Sequence, residues 1–114
     1  MLSAQAALNA ANIPGYRGAF VSTPEMPDPP DCYCAYTYTR TPAWAADDGA
    51  RAVRIRAFLH LFCRDDPTQA MDALRGALAD QGFAPVSEIE GYENNMGYYE
   101  TLIEVEGCVH AADI

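Results

Sequence analysis

The sequence predicts one α+β domain spanning residues 1–114, in which a mainly antiparallel β-sheet packs against two helices. The predicted element order is α-β-β-β-α-β-β. The chain has 114 residues, half of them hydrophobic, which suits one domain whose core needs no metal or disulfide. Residues 50–64 and 97–109 alternate between two kinds of side chain, as strands do, whereas residues 67–81 have the apolar spacing of a helix.

The first 40 residues predict a helix and two strands. Residues 2–12 are rich in alanine and favour a helix, which the Ile-Pro-Gly sequence at 13–15 ends. Residues 18–22 predict a short strand. Residues 23–31 contain four prolines and predict a loop, because proline suits neither a helix interior nor a central strand. Residues 32–40 are rich in aromatic residues and threonine and predict the second strand.

The most regular strand lies in the middle of the chain. Residues 41–49 predict a second loop, which carries the only tryptophan, Trp44. Residues 50–64 then alternate between two faces. One face consists of Val53, Ile55, Ala57, Leu59, Leu61 and Cys63, and the other of Arg54, Arg56, Phe58, His60, Phe62 and Arg64.

A helix is predicted after this strand, ending near Gln81. Asp66 suits the N-cap position and Pro67 the first helical position. Gly82 suits the C-terminal end, where a left-handed backbone is common. The buried stripe of this helix is expected to contain Met71, Leu74 and Leu78.

The last two strands are predicted at residues 84–91 and 97–109, joined by a turn at residues 92–96 whose Asn-Asn pair suits a turn. The final strand again has two faces. One carries Tyr99, Thr101, Ile103 and Val105, and the other carries Tyr98, Glu100, Leu102, Glu104 and Glu106.

Charge is distributed unevenly over the predicted strands. Residues 49–64 include four arginines and no acid, whereas residues 88–106 include six glutamates and no basic residue. Opposite charges on neighbouring strands attract each other. We therefore expect Arg54 and Arg56 to share a sheet face with Glu100 and Glu104, with the two strands as candidate neighbours.

This charged face has two interpretations, a solvated surface or an interface with another subunit. Phe58, Phe62 and Tyr98 lie among the charges, which indicates that the face is at least partly covered. The loops at 23–31 and 41–50 are further candidates for contact, since loops often carry function. The candidate interface residues are Arg54, Arg56, Phe58, Tyr98, Glu100, Glu104, Trp44, Asp47 and Asp48.

Composition argues against two classes of partner. The chain has 16 acidic and seven basic residues, all arginine, for a net charge of −9. We therefore expect no specific binding to nucleic acid and no binding to an anionic membrane, because affinity for phosphate depends on cations. No apolar segment is long enough to span a bilayer and the N-terminus lacks the pattern of a signal peptide, which predicts a cytoplasmic protein.

No known catalytic or phosphate-binding motif is present, so we expect no enzyme, no cofactor and no metal. Cys32 and Cys34 lie on one face of a strand, but a metal site would need Cys63 with His60 or His110, and Cys63 and His60 face opposite sides. Four reduced structural thiols, including Cys108, are the favoured interpretation. His60 is expected to pack among aromatics. A dyad of His60 with Cys34 or Cys108 stays open. The paired acids 47–48 and 65–66 suit a loop and a helix cap.

Five stretches of the chain are similar to one family of phage proteins. They are residues 8–16, a helix ending in a Pro turn; 29–36, a "PP…Y…Y" sequence; 46–49, an "ADN"-type loop; 54–67, an "I.LYT..KD"-type strand; and 92–105, a "Y.E….Y…..FE"-type hairpin. Together they resemble the tail-terminator, or tail-completion, proteins of long-tailed bacteriophages and prophages. The chain differs from that family in being rich in Ala and Arg and in lacking Lys.

The resemblance implies a structural virion protein. Such proteins form homo-oligomeric rings, commonly hexamers, that cap the tail tube and join it to the head–tail connector, and they have no catalytic residues. The expected location is the host cytoplasm during assembly and then the virion. DNA would pass through the ring, and an acidic ring would repel its phosphates. The alternatives are a small-molecule-binding or regulatory module that dimerises through its sheet, and a small enzyme using Cys34 or His60.

Overall fold

The structure is a computed structural model that describes residues 2–45, 51–93 and 97–110. It contains two helices and five strands in the predicted order, α-β-β-β-α-β-β. The elements are α1 (Ala4–Ala10), β1 (Gly15–Arg17), β2 (Cys32–Ala45), β3 (Arg51–Cys63), α2 (Thr68–Asp80), β4 (Ala84–Glu93) and β5 (Tyr98–His110). The predicted α+β class is confirmed.

The five strands form one sheet in the spatial order β1-β2-β3-β5-β4. β1 runs parallel to β2, and every other neighbouring pair is antiparallel. β3 therefore lies in the middle of the sheet, between the aromatic strand β2 and the glutamate-rich strand β5. The predicted adjacency of the Arg-rich and Glu-rich strands is confirmed.

Both helices pack on one face of the sheet, which we call the helix face. The predicted alternation of β3 and β5 is confirmed, because Ile55, Leu59 and Leu61 of β3 point to this face, as do Ile103 and Val105 of β5. Phe58, Phe62 and Leu102 point to the opposite face. Leu8 of α1 and Leu74 of α2 are fully buried against the helix face. The strands contribute Cys34, Tyr36, Ile55, Ala57, Leu59, Leu61, Cys63, Ile103 and Val105 to the same core.

Side chains and glycine set the ends of the helices. The Ser3 hydroxyl accepts a hydrogen bond from the Ala6 N–H at 3.1 Å and caps α1. The Asp66 carboxylate accepts hydrogen bonds from the Thr68 N–H and Oγ1 at the start of α2, although Pro67 and not Asp66 occupies the N-cap position. Gly82 follows α2 with a φ of +95°, a conformation that favours glycine.

Three strand boundaries differ from the prediction. The first strand is Gly15–Arg17 and not residues 18–22, because Gly18 has a φ of +87° and the chain leaves the sheet there. β2 continues to Ala45, so residues 41–45 are strand and not loop. Its proline, Pro42, sits where the pairing with β3 changes register, and such irregularities tolerate proline. β4 extends to Glu93, two residues into the predicted turn.

No helix in the described parts of the chain is long and apolar enough to cross a membrane. The longer of the two helices, α2, has 13 residues.

The open face of the sheet as a candidate functional site

The candidate site is the sheet face opposite the helices, which we call the open face. It divides along the strands into two parts. The aromatic half is formed by Tyr33, Phe62 and Tyr98. The charged half is formed by Arg54, Arg56, Phe58, Glu104 and Glu106.

The aromatic half is a packed cluster of rings. Tyr33 and Phe62 are partners in the β2–β3 register, and their ring centroids lie 4.9 Å apart. The Tyr98 ring meets Tyr33 edge-on at 5.6 Å, a favoured aromatic geometry. Phe20, from loop 18–31, adds a ring 6.0 Å from Tyr33. Burial raises the pKa of the Tyr33 hydroxyl above its ordinary value.

Loop 18–31 is fixed to the sheet at this half. The Tyr98 hydroxyl donates a hydrogen bond to the carbonyl oxygen of Pro30 at 2.9 Å. The Arg64 guanidinium lies 4.5 Å from the centre of the Tyr98 ring and also contacts the Asp31 carboxylate at 3.4 Å. Tyr98 is only 1% exposed as a result. We predicted Tyr98 as an interface residue, but its ring is buried within the subunit, where a partner does not reach it.

A groove of about 600 Å³ lies between loop 18–31 and the sheet. Phe20 and Pro29 line it on the loop side, and Tyr33, His60 and Phe62 line it on the sheet side. It is largely apolar, with the polar side chains of Tyr33 and His60 on the sheet side and Asp28 on the loop side. A cavity of this size and lining suits a small apolar molecule or an inserted side chain.

In the charged half, Arg56 pairs with two carboxylates of β5. Its guanidinium donates a hydrogen bond to Glu106 at 2.8 Å and lies 3.4 Å from Glu104. The hydrogen bond with Arg56 lowers the pKa of Glu106, and it raises the pKa of Arg56 itself. Arg54 is exposed beside them. The predicted sharing of one face by Arg54, Arg56 and Glu104 is confirmed.

His60 and Glu100 lie at the boundary between the two halves. The Nδ1 of His60 is 3.2 Å from a carboxylate oxygen of Glu100. Sequence reasoning placed Glu100 on this face but matched it with the arginines and did not identify His60 as its partner. It also left Glu106 out of the candidate set. Finding either residue would have required knowledge of the β3–β5 register, which pairs Arg56 with Glu106 and Phe62 with Glu100.

The structure does not bring together the cysteine–histidine dyads that the sequence left open. Cys34 is buried on the helix face, where burial raises its pKa to about 12, while His60 points to the open face. Cys108 shares the open face with His60, but their register positions are six residues apart along β5. That separation is roughly 20 Å at the usual rise of a strand.

The described residues also provide no arrangement of ligands for the metal site that the sequence left as an alternative. Within residues 2–45, 51–93 and 97–110, no group of three or more His, Cys, Asp or Glu side chains is placed to hold an ion. Cys63 belongs to the helix face and His60 to the open face, as the sequence alternation predicted.

The remaining candidates are Trp44, Asp47 and Asp48. Trp44 is in β2, opposite Ala52, four residues beyond the predicted end of this strand at Arg40. Asp47 and Asp48 lie outside the described residues.

Comparison with known proteins finds no protein-family model that matches the chain and no curated protein that matches it.

Proposed function

We propose that the protein is a ring-forming structural subunit of the tail-terminator type, which caps the tail tube of a long-tailed phage or prophage and joins it to the head–tail connector. The observation that carries the proposal is the charged half of the open face. It presents both aromatic and charged side chains on a rigid sheet, and its exposed positions include Thr37, Thr39 and Arg54. A surface of this kind suits contact with another subunit.

The rim of the sheet supports a contact between two different surfaces. Arg17 and Arg40 are exposed on β1 and β2, at one side of the sheet. Glu90 is exposed on β4, at the opposite side, whereas the carboxylate of Glu88 already pairs with Arg75 of α2 at 2.8 Å. A ring with more than two copies needs such a heterologous interface, in which one surface meets a different surface on the next copy. Opposite charges on the two sides favour this arrangement over a twofold dimer.

The overall charge supports the same proposal. With a net charge of −9, a ring of these subunits would repel the phosphates of DNA. A channel that DNA must traverse without binding benefits from that repulsion. The subunit would then be made in the host cytoplasm and end in the virion, with copies of itself, the tail tube protein and the connector as partners.

Native mass spectrometry and sedimentation velocity over a range of concentrations test the proposal. The expected result is a closed ring, most simply a hexamer, visible as a ring by negative-stain electron microscopy. The variant Phe58→Glu places a charge in the centre of the charged half and is expected to give monomers. Ala79→Glu adds the same charge on the exposed side of α2 and serves as the control. A wild-type protein that stays monomeric at every concentration contradicts the proposal.

The groove under loop 18–31 favours a second candidate function, a small-molecule-binding module. Its volume of about 600 Å³ and its aromatic lining suit a flat apolar ligand. Titration with aromatic fragments, followed by NMR, tests this candidate. Shift changes confined to Phe20, Tyr33 and Phe62 would support ligand binding, whereas changes scattered over the surface would count against it.

A further inference from the structure

Two cysteines face each other at one end of the β2–β3 hairpin. Cys32 is the first residue of β2 and Cys63 is the last residue of β3, and they are direct partners in the register. Their sulfur atoms are 2.8 Å apart. Both are free thiols in this structure. The pair plays no part in the open face, because both side chains lie on the helix face.

The backbone around this pair suits a disulfide. The next residues outward, Asp31 and Arg64, are joined by a hydrogen bond from the Arg64 N–H to the Asp31 carbonyl oxygen at 2.9 Å. Hydrogen-bonded and non-hydrogen-bonded pairs alternate along an antiparallel ladder, so Cys32 and Cys63 form a non-hydrogen-bonded pair. Such pairs have Cα atoms about 4.5 Å apart, which is within the range of roughly 4.4–6.8 Å that disulfides need.

Small molecules can reach the pair. Cys32 is half-buried and Cys63 is buried, and both line an opening of about 420 Å³ between the ends of the helices. Asn12, just after α1, and Gln69, in α2, line the same opening together with the carboxylates of Asp31, Asp65 and Asp66. The other two cysteines cannot take part in the pair. Cys34 is fully buried, and Cys108 is exposed but lies on the opposite sheet face, remote from Cys32 and Cys63.

We propose that Cys32 and Cys63 form a redox site that exchanges with low-molecular-weight disulfides of the glutathione type and closes into a cross-strand disulfide. This inference is independent of the proposed ring function. It assigns a chemical role to two of the four thiols that the sequence alone assigned to packing.

The reaction proceeds by two exchanges. Cys32 is the attacking group, because it is the more exposed of the two thiols and its hydrogen bond with Cys63 lowers its pKa while that of Cys63 is raised. The Cys32 thiolate bonds to one sulfur of the small disulfide and breaks its S–S bond, which releases one small thiolate. Cys63 then loses its proton to solvent, and its sulfur displaces the second small thiolate from Cys32. The protein dithiol is oxidised by two electrons, the small disulfide is reduced, and the two protons end on the released thiols.

The test incubates the full chain in buffers of graded ratios of oxidised to reduced glutathione. Thiols are then trapped by alkylation under denaturing conditions. The expected result is a loss of two of the four thiols. The mass of the protein under denaturing, non-reducing conditions should stay that of a single chain, because no disulfide joins two chains. Cleavage after arginine separates the cysteines into the peptides 18–40, 57–64 and 76–114. The oxidised sample should contain the first two joined together, and the link should disappear on reduction.

Variants locate the bond within the joined peptides. The double variant Cys34→Ser with Cys108→Ser keeps only the proposed pair and should form the link over the same range of buffers as the wild type. Cys32→Ser should remove the link between peptides 18–40 and 57–64. Persistence of that link in Cys32→Ser, which assigns it to Cys34, would overturn the proposal. So would a wild-type protein that keeps all four thiols in the most oxidising buffer.

Discussion

The two halves of the open face are built on the same central strands, β3 and β5, yet they differ in how they are covered. In the aromatic half, loop 18–31 lies over Tyr33, Phe62 and Tyr98 and leaves Tyr98 only 1% exposed. In the charged half, Arg56 pairs with Glu104 and Glu106 while its own side chain stays 39% exposed. An apolar part of a sheet face can thus be covered by a loop of the same chain, while a charged part of that face stays exposed to solvent.

Physical chemistry explains the division. Burying aromatic surface stabilises the fold by roughly 25 cal/mol for each Å² removed from water, so a proline-rich loop that costs little extra entropy can close over rings. Burying Arg56 and its two carboxylates in the same way would remove their solvation, and a buried ion pair seldom compensates for that loss. The loop therefore stabilises one half, and the other half keeps its solvent or exchanges it for another subunit.

The largest expected difference comes from a matched pair of neighbouring tyrosines. Tyr98→Ala should lower the free energy of unfolding by about 3–5 kcal/mol, because it removes a buried ring and the bond that fixes loop 18–31. Tyr99→Ala, at a 44% exposed position on the other side of the strand, should cost under about 1 kcal/mol. Urea denaturation of both variants measures the difference. Equal losses would mean that the aromatic half contributes no special stability.

A second pair compares the two halves along one strand. Phe62 and Phe58 both lie on the open face of β3, but only Phe62 belongs to the aromatic cluster. Phe62→Ala should cost about 2 kcal/mol and Phe58→Ala roughly 1 kcal/mol. Denaturation must be measured at concentrations where the protein is monomeric, so that assembly does not contribute. A larger loss for Phe58→Ala would reverse the comparison.

The smallest effect concerns the acid dependence of the charged half. The hydrogen bond with Arg56 lowers the pKa of Glu106 below its ordinary value of 4.5 in the folded state. Its contribution to stability is therefore fully present above that ordinary value and is lost as the pH falls through the lowered one. Glu106→Gln should flatten the fall in stability in this window, whereas Glu25→Gln controls for the change in net charge. Thermal melts from pH 6 to pH 3 measure the slopes, and identical slopes in Glu106→Gln and wild type would show that the pair contributes nothing.

Much of this arrangement could be predicted from the sequence. The alternation of residues 50–64 separated the core side of β3 from its charged side, and the opposite charges of the Arg-rich and Glu-rich segments predicted their adjacency. These predictions succeeded because period two and charge attraction are local properties of a strand and its neighbour. The role of Phe58 as an interface residue stays a prediction.

The register between neighbouring strands was harder to predict, and it determines which side chains pair across β2, β3 and β5. For every β2–β3 pair from Cys32–Cys63 to Pro42–Val53, the midpoint of the two residue numbers falls between positions 47 and 48. A hairpin centred on Asp47 and Asp48 would therefore have predicted the cysteine pair, but residues 41–49 were predicted to be a loop. The burial of Tyr98 was beyond sequence reasoning, because nothing in a proline-rich segment indicates which rings it will cover.

The sheet order has a consequence for how the chain folds. Two pairs of neighbouring strands, β2–β3 and β4–β5, are consecutive in the chain and form hairpins. The pairing of β3 with β5 instead joins residues that are 36 to 58 positions apart in sequence, from Cys63–Tyr99 to Ala52–His110. Contacts over such distances in sequence slow folding, because loop closure must come before the contact forms. The two hairpins would thus form early and the seam between them late. Until that seam closes, one edge of β3 lacks its partner strand, and an unpaired strand edge can pair with another chain and aggregate.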